Sequence, residues 1–123
     1  MRTYRAPHQP NDKDKLQAMM ETLKSGKHLP PIVVCGEQAF CGSHRIAAYE
    51  DAWRLRDSLD ESWELVPDAI QVVELSDDDY RAACIHADVE FLDDLRDYNE
   101  IARAIHETTT DDDVKAALAD QMD

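Results

Sequence analysis

A pair of prolines followed by a β-branched run constrains the fold of this 123-residue chain more than any other feature. Pro30 and Pro31 exclude a helix and force an extended backbone. Residues 32–35 read Ile-Val-Val-Cys, a composition typical of a short strand. The Gly-Glu pair at residues 36–37 then predicts a two-residue hairpin turn, and residues 38–41 form the returning strand. The middle of the chain is therefore predicted to be a β-hairpin.

Helices are predicted on both sides of this hairpin. Upstream, a helix begins near Asp12, with Asn11 as its N-cap. Its apolar side chains follow the spacing of one helical face: Leu16, Met19, Met20 and Leu23. Downstream, Gly42 breaks the strand, and Ser43 is the predicted N-cap of a helix over residues 44–59.

One more strand and three more helices are predicted in the remainder of the chain. The strand covers residues 69–75, and Ser76 caps a helix that runs to about residue 87. A longer helix covers residues 91–106, and a last helix covers residues 111–122. Because most strands come early and most helices late, we expect an α+β fold: a small sheet with packed helices and a C-terminal helical extension.

The charge of the chain is unevenly distributed. Its 13 Lys and Arg stand against 27 Asp and Glu, which gives a net charge of −14. Residues 1–49 hold seven basic and four acidic side chains, whereas residues 50–123 hold six and 23. So many acidic side chains repel the phosphates of nucleic acids and of anionic membranes, so neither is an expected direct partner. The acidic residues 50–123 instead favour a basic protein as a partner.

The cysteine content and the absence of long apolar runs bear on localisation. The longest apolar run has only a few residues, and no secretory signal pattern is visible, so no membrane span or secretion is expected. The three cysteines are an odd number, which fits a reducing compartment better than a disulfide scaffold. We therefore expect a cytoplasmic protein. The cysteines and histidines also lack the spacing of a zinc site.

The residues with the most information about function lie where the hairpin gives way to the helix. The first N–H groups of a helix lack intrahelical partners and lie at the positive end of its dipole, so they attract phosphate. Gly42 lets a ligand approach the backbone closely. Arg45 can form a forked pair with phosphate oxygens, and His44 can donate a hydrogen bond or carry a proton. The alternative is an ordinary capped helix, in which Ser43 is only the cap.

The same residues resemble a known family. The pattern Phe-x-Gly-x-His-Arg-x-Ala-Ala-Tyr at residues 40–49, after the two prolines and the hairpin, resembles sulfiredoxin and the wider ParB/sulfiredoxin superfamily. In the first helix, Asp-Lys-Leu-Gln at residues 14–17, with Thr22 seven residues after Lys15, is similar to the sulfiredoxin helix whose Lys and Thr contact ATP. The resemblance extends over residues 10–87.

This resemblance implies a small α+β nucleotide-binding core, residues 1–87, followed by an acidic helical extension, residues 88–123. It implies ATP or a related nucleotide with Mg²⁺ as the ligand, and phosphoryl transfer or nucleotide hydrolysis as the activity. The nucleotide-binding residues that it implies are Lys15, Thr22, Gly42, Ser43, His44 and Arg45. The last three of these are also the implied catalytic residues.

The chain departs from sulfiredoxin at one decisive position. Sulfiredoxin has its catalytic cysteine immediately before His-Arg, where this chain has Ser43. A hydroxyl has a far higher pKa than a thiol and cannot take its part in thiol exchange, so sulfinic acid reductase activity is not expected. Cys41 is either a substitute nucleophile or a core residue. Glu50 and Asp51 are either a general base or Mg²⁺ ligand, or part of a solvated helix face.

Two functions from different classes remain open. The first is a nucleotide-binding enzyme or switch that uses the start of the second helix. The second is a non-enzymatic acidic protein that binds a basic protein partner, as a charge mimic or inhibitor. A third, an accessory factor in DNA partition or modification as in ParB relatives, would need a partner for DNA contact, because the chain has no basic DNA-binding extension.

Overall fold

The computed structural model describes residues 3–122. That range contains five α-helices and three short strands. Along the chain their order is α1 (Lys13–Lys24), β1 (Ile32–Cys35), β2 (Gln38–Ala39), α2 (Ser43–Asp57), β3 (Val72–Glu74), α3 (Asp77–Ala87), α4 (Tyr98–Thr108) and α5 (Asp112–Met122). Two 3-10 turns, Glu61–Trp63 and Leu92–Asp94, lie in the longer connections. The predicted α+β class is confirmed.

The sheet is mixed and has the strand order β2-β1-β3. β1 and β2 are antiparallel, with Val34 opposite Ala39, so the predicted hairpin is confirmed. β3 is parallel to β1, with Val33 opposite Val73. A parallel pair needs a long crossover, and α2 forms the main part of it. Gly42 therefore lies where the chain leaves the hairpin and begins this crossover.

Both predicted N-caps in the first half of the chain are wrong. Asp12, rather than Asn11, caps α1, and its carboxylate accepts a hydrogen bond from the backbone N of Lys15. Gly42, rather than Ser43, occupies the N-cap position of α2. Its φ of 82° is left-handed, a conformation that suits glycine and that turns the strand directly into the helix. Ser43 is consequently the first helical residue of α2.

Other boundaries differ from the sequence-based expectation by a few residues. The Ser76 cap of α3 is confirmed, because its Oγ accepts a hydrogen bond from the backbone N of Asp79 at 3.2 Å. α2 ends at Asp57, two residues early, and Leu59 adopts a left-handed φ of 68°. The strand predicted over residues 69–75 shrinks to the three residues of β3, because only these lie opposite residues of β1.

The long helix predicted over residues 91–106 is interrupted. A 3-10 turn and an extended segment precede α4. Asp94 Oδ2 accepts a hydrogen bond from the backbone N of Phe91, and Asp97 Oδ1 accepts one from the backbone N of Asn99. These short acidic side chains compete for backbone donors, so they end one turn and begin the next helix at the places where an unbroken helix was expected.

One buried cluster unites the sheet with helices from both ends of the chain. It includes Leu23 of α1, Val33 of β1 and Tyr49 of α2. Ile105 of α4 and Leu118 of α5 belong to the same cluster and are fully buried. Residues from 88 onward thus pack on the sheet, and the division into residues 1–87 and 88–123 stays a prediction. No helix in the described range is both long and apolar enough to cross a membrane.

Candidate anion site at the start of α2

Gly42 forms the corner between the sheet and α2, and the fold itself requires a glycine there. A Cβ added to this residue would overlap Cγ2 of Ile32 on β1 and would come within 3.1 Å of Nε of Arg45. The left-handed φ disfavours other residues as well. The glycine therefore allows α2 to pack closely on β1, whether or not a ligand approaches the same backbone.

The start of α2 differs electrically from the starts of three other helices. Side chains of Asp12, Ser76 and Asp97 cap α1, α3 and α4. α2 has no side-chain cap and no acidic residue in its first turn, although it is 15 residues long. The positive end of its dipole is therefore not neutralised by a carboxylate of its own first turn.

Arg45 is buried beneath this helix start, with only 4% of its surface exposed. Its Nη1 donates hydrogen bonds to the carbonyl oxygens of Pro30, at 3.2 Å, and Pro31, at 2.6 Å. The two carbonyls belong to the proline pair that leads into β1. The structure thus places this guanidinium against the fold's own backbone, where it ties the start of α2 to the entry of the sheet.

Ser43 and His44 both accept hydrogen bonds from the segment that precedes α1. The hydroxyl of Ser43, which is 1% exposed, accepts one from the backbone N of His8 at 3.2 Å. Nε2 of His44 accepts one from the backbone N of Asp12 at 3.1 Å. Nε2 can accept only when it carries no proton, so the neutral ring of His44 holds its proton on Nδ1.

The pKa of His44 is lowered from its ordinary value. Burial is the largest cause, and the positive charges of Lys15 and His8 lower the pKa further, against a weaker opposing effect of Asp12. The rings of His8 and His44 lie edge to face, with their centroids 6.4 Å apart. Three basic side chains therefore lie near one another at the start of α2, in a protein whose net charge is −14.

We call residues 3–11 the N-terminal arm. Arg5 pairs with the outer side of β2: its N donates to the carbonyl of Glu37 at 2.8 Å, and its carbonyl accepts from the N of Ala39 at 3.0 Å. Pro7 is buried, and Thr3 Oγ1 donates a hydrogen bond to Glu50 Oε1. The sequence predicts an extended arm, but nothing in it indicates that the arm lies along the start of α2.

The two predicted nucleotide-binding residues of α1 differ in their location. Lys15 is exposed and close enough to His44 to affect its pKa, so the structure brings these two residues together. Thr22 lies about 10 Å farther along the helix axis, because seven residues rise 1.5 Å each. Its hydroxyl donates a hydrogen bond to the carbonyl of Ala18 at 3.2 Å, within α1.

Cys41 has the environment of a core residue. It is fully buried, and its Sγ accepts a hydrogen bond from the backbone N of Val33 at 3.3 Å. Its Sγ also contacts the carbonyl oxygen of Ala117 in α5 at 3.9 Å. Of the two interpretations that the sequence leaves open for this residue, burial favours the core.

The carboxylates of Glu50 and Asp51, near the site, are already engaged within the protein. Glu50 accepts the hydrogen bond of Thr3, and Asp51 pairs with Arg54 at 3.2 Å on the helix surface. The described residues contain no group of three or more His, Cys, Asp or Glu side chains that could hold a metal ion. Binding of Mg²⁺ together with a nucleotide therefore stays a prediction.

Acidic side chains gather at a different place, around Cys35 at the end of β1. Burial raises the pKa of this thiol, and the negative charges of Asp77, Asp93 and Glu74 raise it further. We call Glu74, Asp77 and Asp93 the acidic surface. Phe91 lies two residues before Asp93 in the same connection, and its side chain is 53% exposed.

Comparisons with known proteins do not assign the chain to a family. No family model, curated protein or solved structure matches it. The resemblance to the ParB/sulfiredoxin superfamily therefore stays a prediction, and the geometry of the described residues carries the functional argument.

Proposed function

We propose that the chain binds the phosphate of ATP or a related nucleotide at the start of α2. The observation that supports this proposal is the gathering of Lys15, His8 and His44 at the start of a long helix whose first turn has neither a side-chain cap nor an acidic residue. A phosphate bound here would be attracted to the positive charge of Lys15 and would favour the charged form of the His44 ring. The helix dipole adds to the attraction for the anion.

The roles of the residues differ from those that the family resemblance implies. Lys15 supplies charge from α1, and His44 supplies charge or an Nδ1–H donor from α2. Arg45, which is buried against the carbonyls of Pro30 and Pro31, holds the corner in place rather than contacting the ligand. A nucleotide that binds here would have the N-terminal arm beside it.

The geometry supports binding more strongly than catalysis. Ser43 is buried and already accepts a hydrogen bond from His8, and Nε2 of His44 already accepts one from Asp12. Neither group is poised as a nucleophile or base in this conformation. Phosphoryl transfer and hydrolysis stay predictions, which release of inorganic phosphate from ATP would measure.

Isothermal titration with ATP, ADP, CTP and inorganic pyrophosphate tests the binding. Lys15→Ala should weaken the affinity about tenfold, which corresponds to about 1.4 kcal/mol. Lys13→Ala removes the same charge from the same exposed helical turn, on a different face, and should change the affinity less than twofold (about 0.4 kcal/mol). No binding by the wild-type protein at millimolar ligand, or equal losses in both variants, would overturn the proposal.

The pKa of His44 provides a second test of the phosphate contact. Because the bound anion favours the charged ring, ligand binding should raise the pKa of His44 and take up protons near neutral pH. An NMR titration of the ring with and without pyrophosphate measures this shift. An unchanged pKa under saturating pyrophosphate would place the ligand elsewhere.

The acidic surface favours a second function, the binding of a basic protein. Three carboxylates close enough to act on one thiol form a dense negative region, and the exposed ring of Phe91 adds apolar area. An oligolysine peptide serves as a defined probe, with its affinity measured at low and high salt. Neutralising all three acids of the acidic surface should abolish a salt-sensitive affinity for this peptide.

The matched control removes three negative charges elsewhere and keeps the net charge equal. It neutralises three exposed acids: Asp57, Glu61 and Glu64. If both triple variants lose the same affinity, net charge and not the acidic surface governs the interaction, and this second function fails.

A further inference from the structure

A cavity of about 590 Å³ adjoins the candidate phosphate site, between the N-terminal arm and the start of α4. Its lining residues are Pro7, His8, Arg96, Asp97, Tyr98 and Asn99. This volume is within the range of about 300–1,000 Å³ that is typical of small-ligand sites. The site and the cavity share His8, whose backbone N donates to Ser43 and whose ring is 6.4 Å from that of His44.

Arg96 is an unusual residue in this cavity because of the charge around it. The half of the chain that contains it has six basic side chains and 23 acidic ones. Arg96 nevertheless forms no ion pair with the side chains that the structure describes. The neighbouring Asp97 uses its carboxylate to accept the backbone N–H of Asn99 at 2.9 Å. The guanidinium is thus exposed at the cavity without a carboxylate partner.

Tyr98 gives the cavity a flat wall in a fixed position. Tyr98 is the first residue of α4, and its half-buried ring packs against the core. Aromatic rings and guanidinium planes are the two protein surfaces on which nucleic acid bases stack. The ring of Pro7, which is buried in the arm, adds apolar area to the lining.

We propose that this cavity holds the nucleoside of the same ligand, with its base against Tyr98 and Arg96. The inference rests on the proposed function, because His8 connects the cavity to the phosphate position at Ser43 and His44. It deepens that function by assigning a place to the nucleoside, which inorganic phosphate and pyrophosphate lack. It also assigns a ligand contact to residue 96, which lies outside the family resemblance.

The test compares ADP with inorganic pyrophosphate on the full chain. ADP should bind about tenfold more tightly, because base stacking adds to the shared phosphate contacts. Arg96→Ala should remove most of this tenfold difference and leave the affinity for pyrophosphate within about twofold of wild type. Arg103→Ala is the matched control, since this arginine is exposed farther along α4 and outside the cavity. It should leave both affinities unchanged.

Variants of Tyr98 check the stacking without relying on one substitution. Tyr98→Phe retains the ring and should keep the ADP affinity within about twofold, whereas Tyr98→Leu removes the flat face and should lose about fivefold. Thermal melting of each variant shows whether it is folded before its affinity is compared.

The outcomes separate this inference from the function on which it rests. Equal affinities for ADP and pyrophosphate would overturn the nucleoside cavity and leave the phosphate site standing. Binding of ADP that depends on Arg96 but not on Lys15 would support the cavity and overturn the phosphate position at α2. Binding of neither ligand would overturn both.

Discussion

The starts of α2 and α3 follow strands of the same sheet but have opposite electrostatic surroundings. α3 begins with a Ser76 cap and three consecutive aspartates, Asp77, Asp78 and Asp79. α2 begins at a glycine, has no acid in its first turn and has the basic residues Lys15 and His8 as neighbours. Acids of the first turn neutralise the positive dipole of α3, whereas the first turn of α2 supplies none.

The same contrast extends to the contacts of the first turns. Asp79 Oδ2 accepts a hydrogen bond from Thr109 Oγ1 at 2.5 Å, so the start of α3 is tied to the end of α4. The first turn of α2 is tied instead to the proline pair through Arg45 and to the segment before α1 through His44. The start of α3 is thus held by the end of α4, whereas the start of α2 is held by the proline pair and by the segment before α1.

The largest expected effect comes from breaking the α2 corner at Gly42. Gly42→Ala combines a left-handed backbone with an overlap against Ile32, so it should lower the free energy of unfolding by about 3 kcal/mol. Gly36→Ala is the matched control, because Gly36 has φ 61° but no atom within 4 Å of the added Cβ, and it should cost about 1 kcal/mol. Urea unfolding measures both, and equal losses would contradict the close packing of α2 on β1.

A smaller loss is expected from Arg45→Ala, which removes the tie between α2 and the proline pair. Two charge-assisted hydrogen bonds disappear and two carbonyls lose their partner, which should cost about 2 kcal/mol. Arg54→Ala removes an arginine of the same helix whose side chain is 76% exposed, and should cost about 0.5 kcal/mol or less. A stability loss no larger than that of the control would mean that Arg45 is free to contact a ligand.

The cap of α3 provides the third test of the comparison. Ser76→Ala leaves the backbone N of Asp79 without its side-chain acceptor and should destabilise the protein by about 1 kcal/mol. Ser76→Gly, which lets water reach the same group, should cost only about a few tenths of a kcal/mol. Chemical denaturation resolves the difference, and no loss in Ser76→Ala would show that the three aspartates alone stabilise this helix start.

The smallest effect is the pH dependence that His44 introduces. Since the folded protein lowers the pKa of this ring, the unfolded chain takes up a proton first as the pH falls. The contribution of His44 to stability is therefore complete above its ordinary pKa of about 6.5 and decreases as the pH falls from there toward the lowered folded value. Urea midpoints between neutral and mildly acidic pH measure this slope.

His44→Gln should flatten that slope, because glutamine does not titrate. His106→Gln on α4 replaces a histidine away from this helix start and is the control for the substitution itself. If His44→Gln retains the whole slope of the wild-type protein, the pH dependence has another source, and the contrast between α2 and α3 weakens.

Much of the fold could be predicted from local sequence rules. The proline pair, the β-branched run and the Gly-Glu turn determine the hairpin, and Ser76 with its aspartates determines the start of α3, because each of these signals acts within a few residues. The break before α4 is not predicted, because aspartates such as Asp94 and Asp97 occur both in the first turn of a helix and where a helix is interrupted.

The site was only partly predictable, because its contacts are long-range. The sequence indicates the glycine at which the hairpin gives way to α2, and the structure brings Lys15 of α1 near His44. The sequence does not show that Arg45 would turn to carbonyls 14 and 15 residues earlier, nor that the arm would reach Ser43 over 35 residues. The chemistry of a guanidinium or a hydroxyl limits the kinds of group that it can bind. Which of those groups lies within reach depends on the tertiary fold.

The pairing of Arg5 with β2 has a consequence beyond the site. An edge strand with unpaired N–H and C=O groups is a template for pairing with another chain, and such pairing leads to aggregation. The arm covers the outer side of this two-residue strand, where Arg5 takes up the N–H of Ala39 and the carbonyl of Glu37. The contact between the arm and β2 therefore also protects the protein against edge-to-edge aggregation.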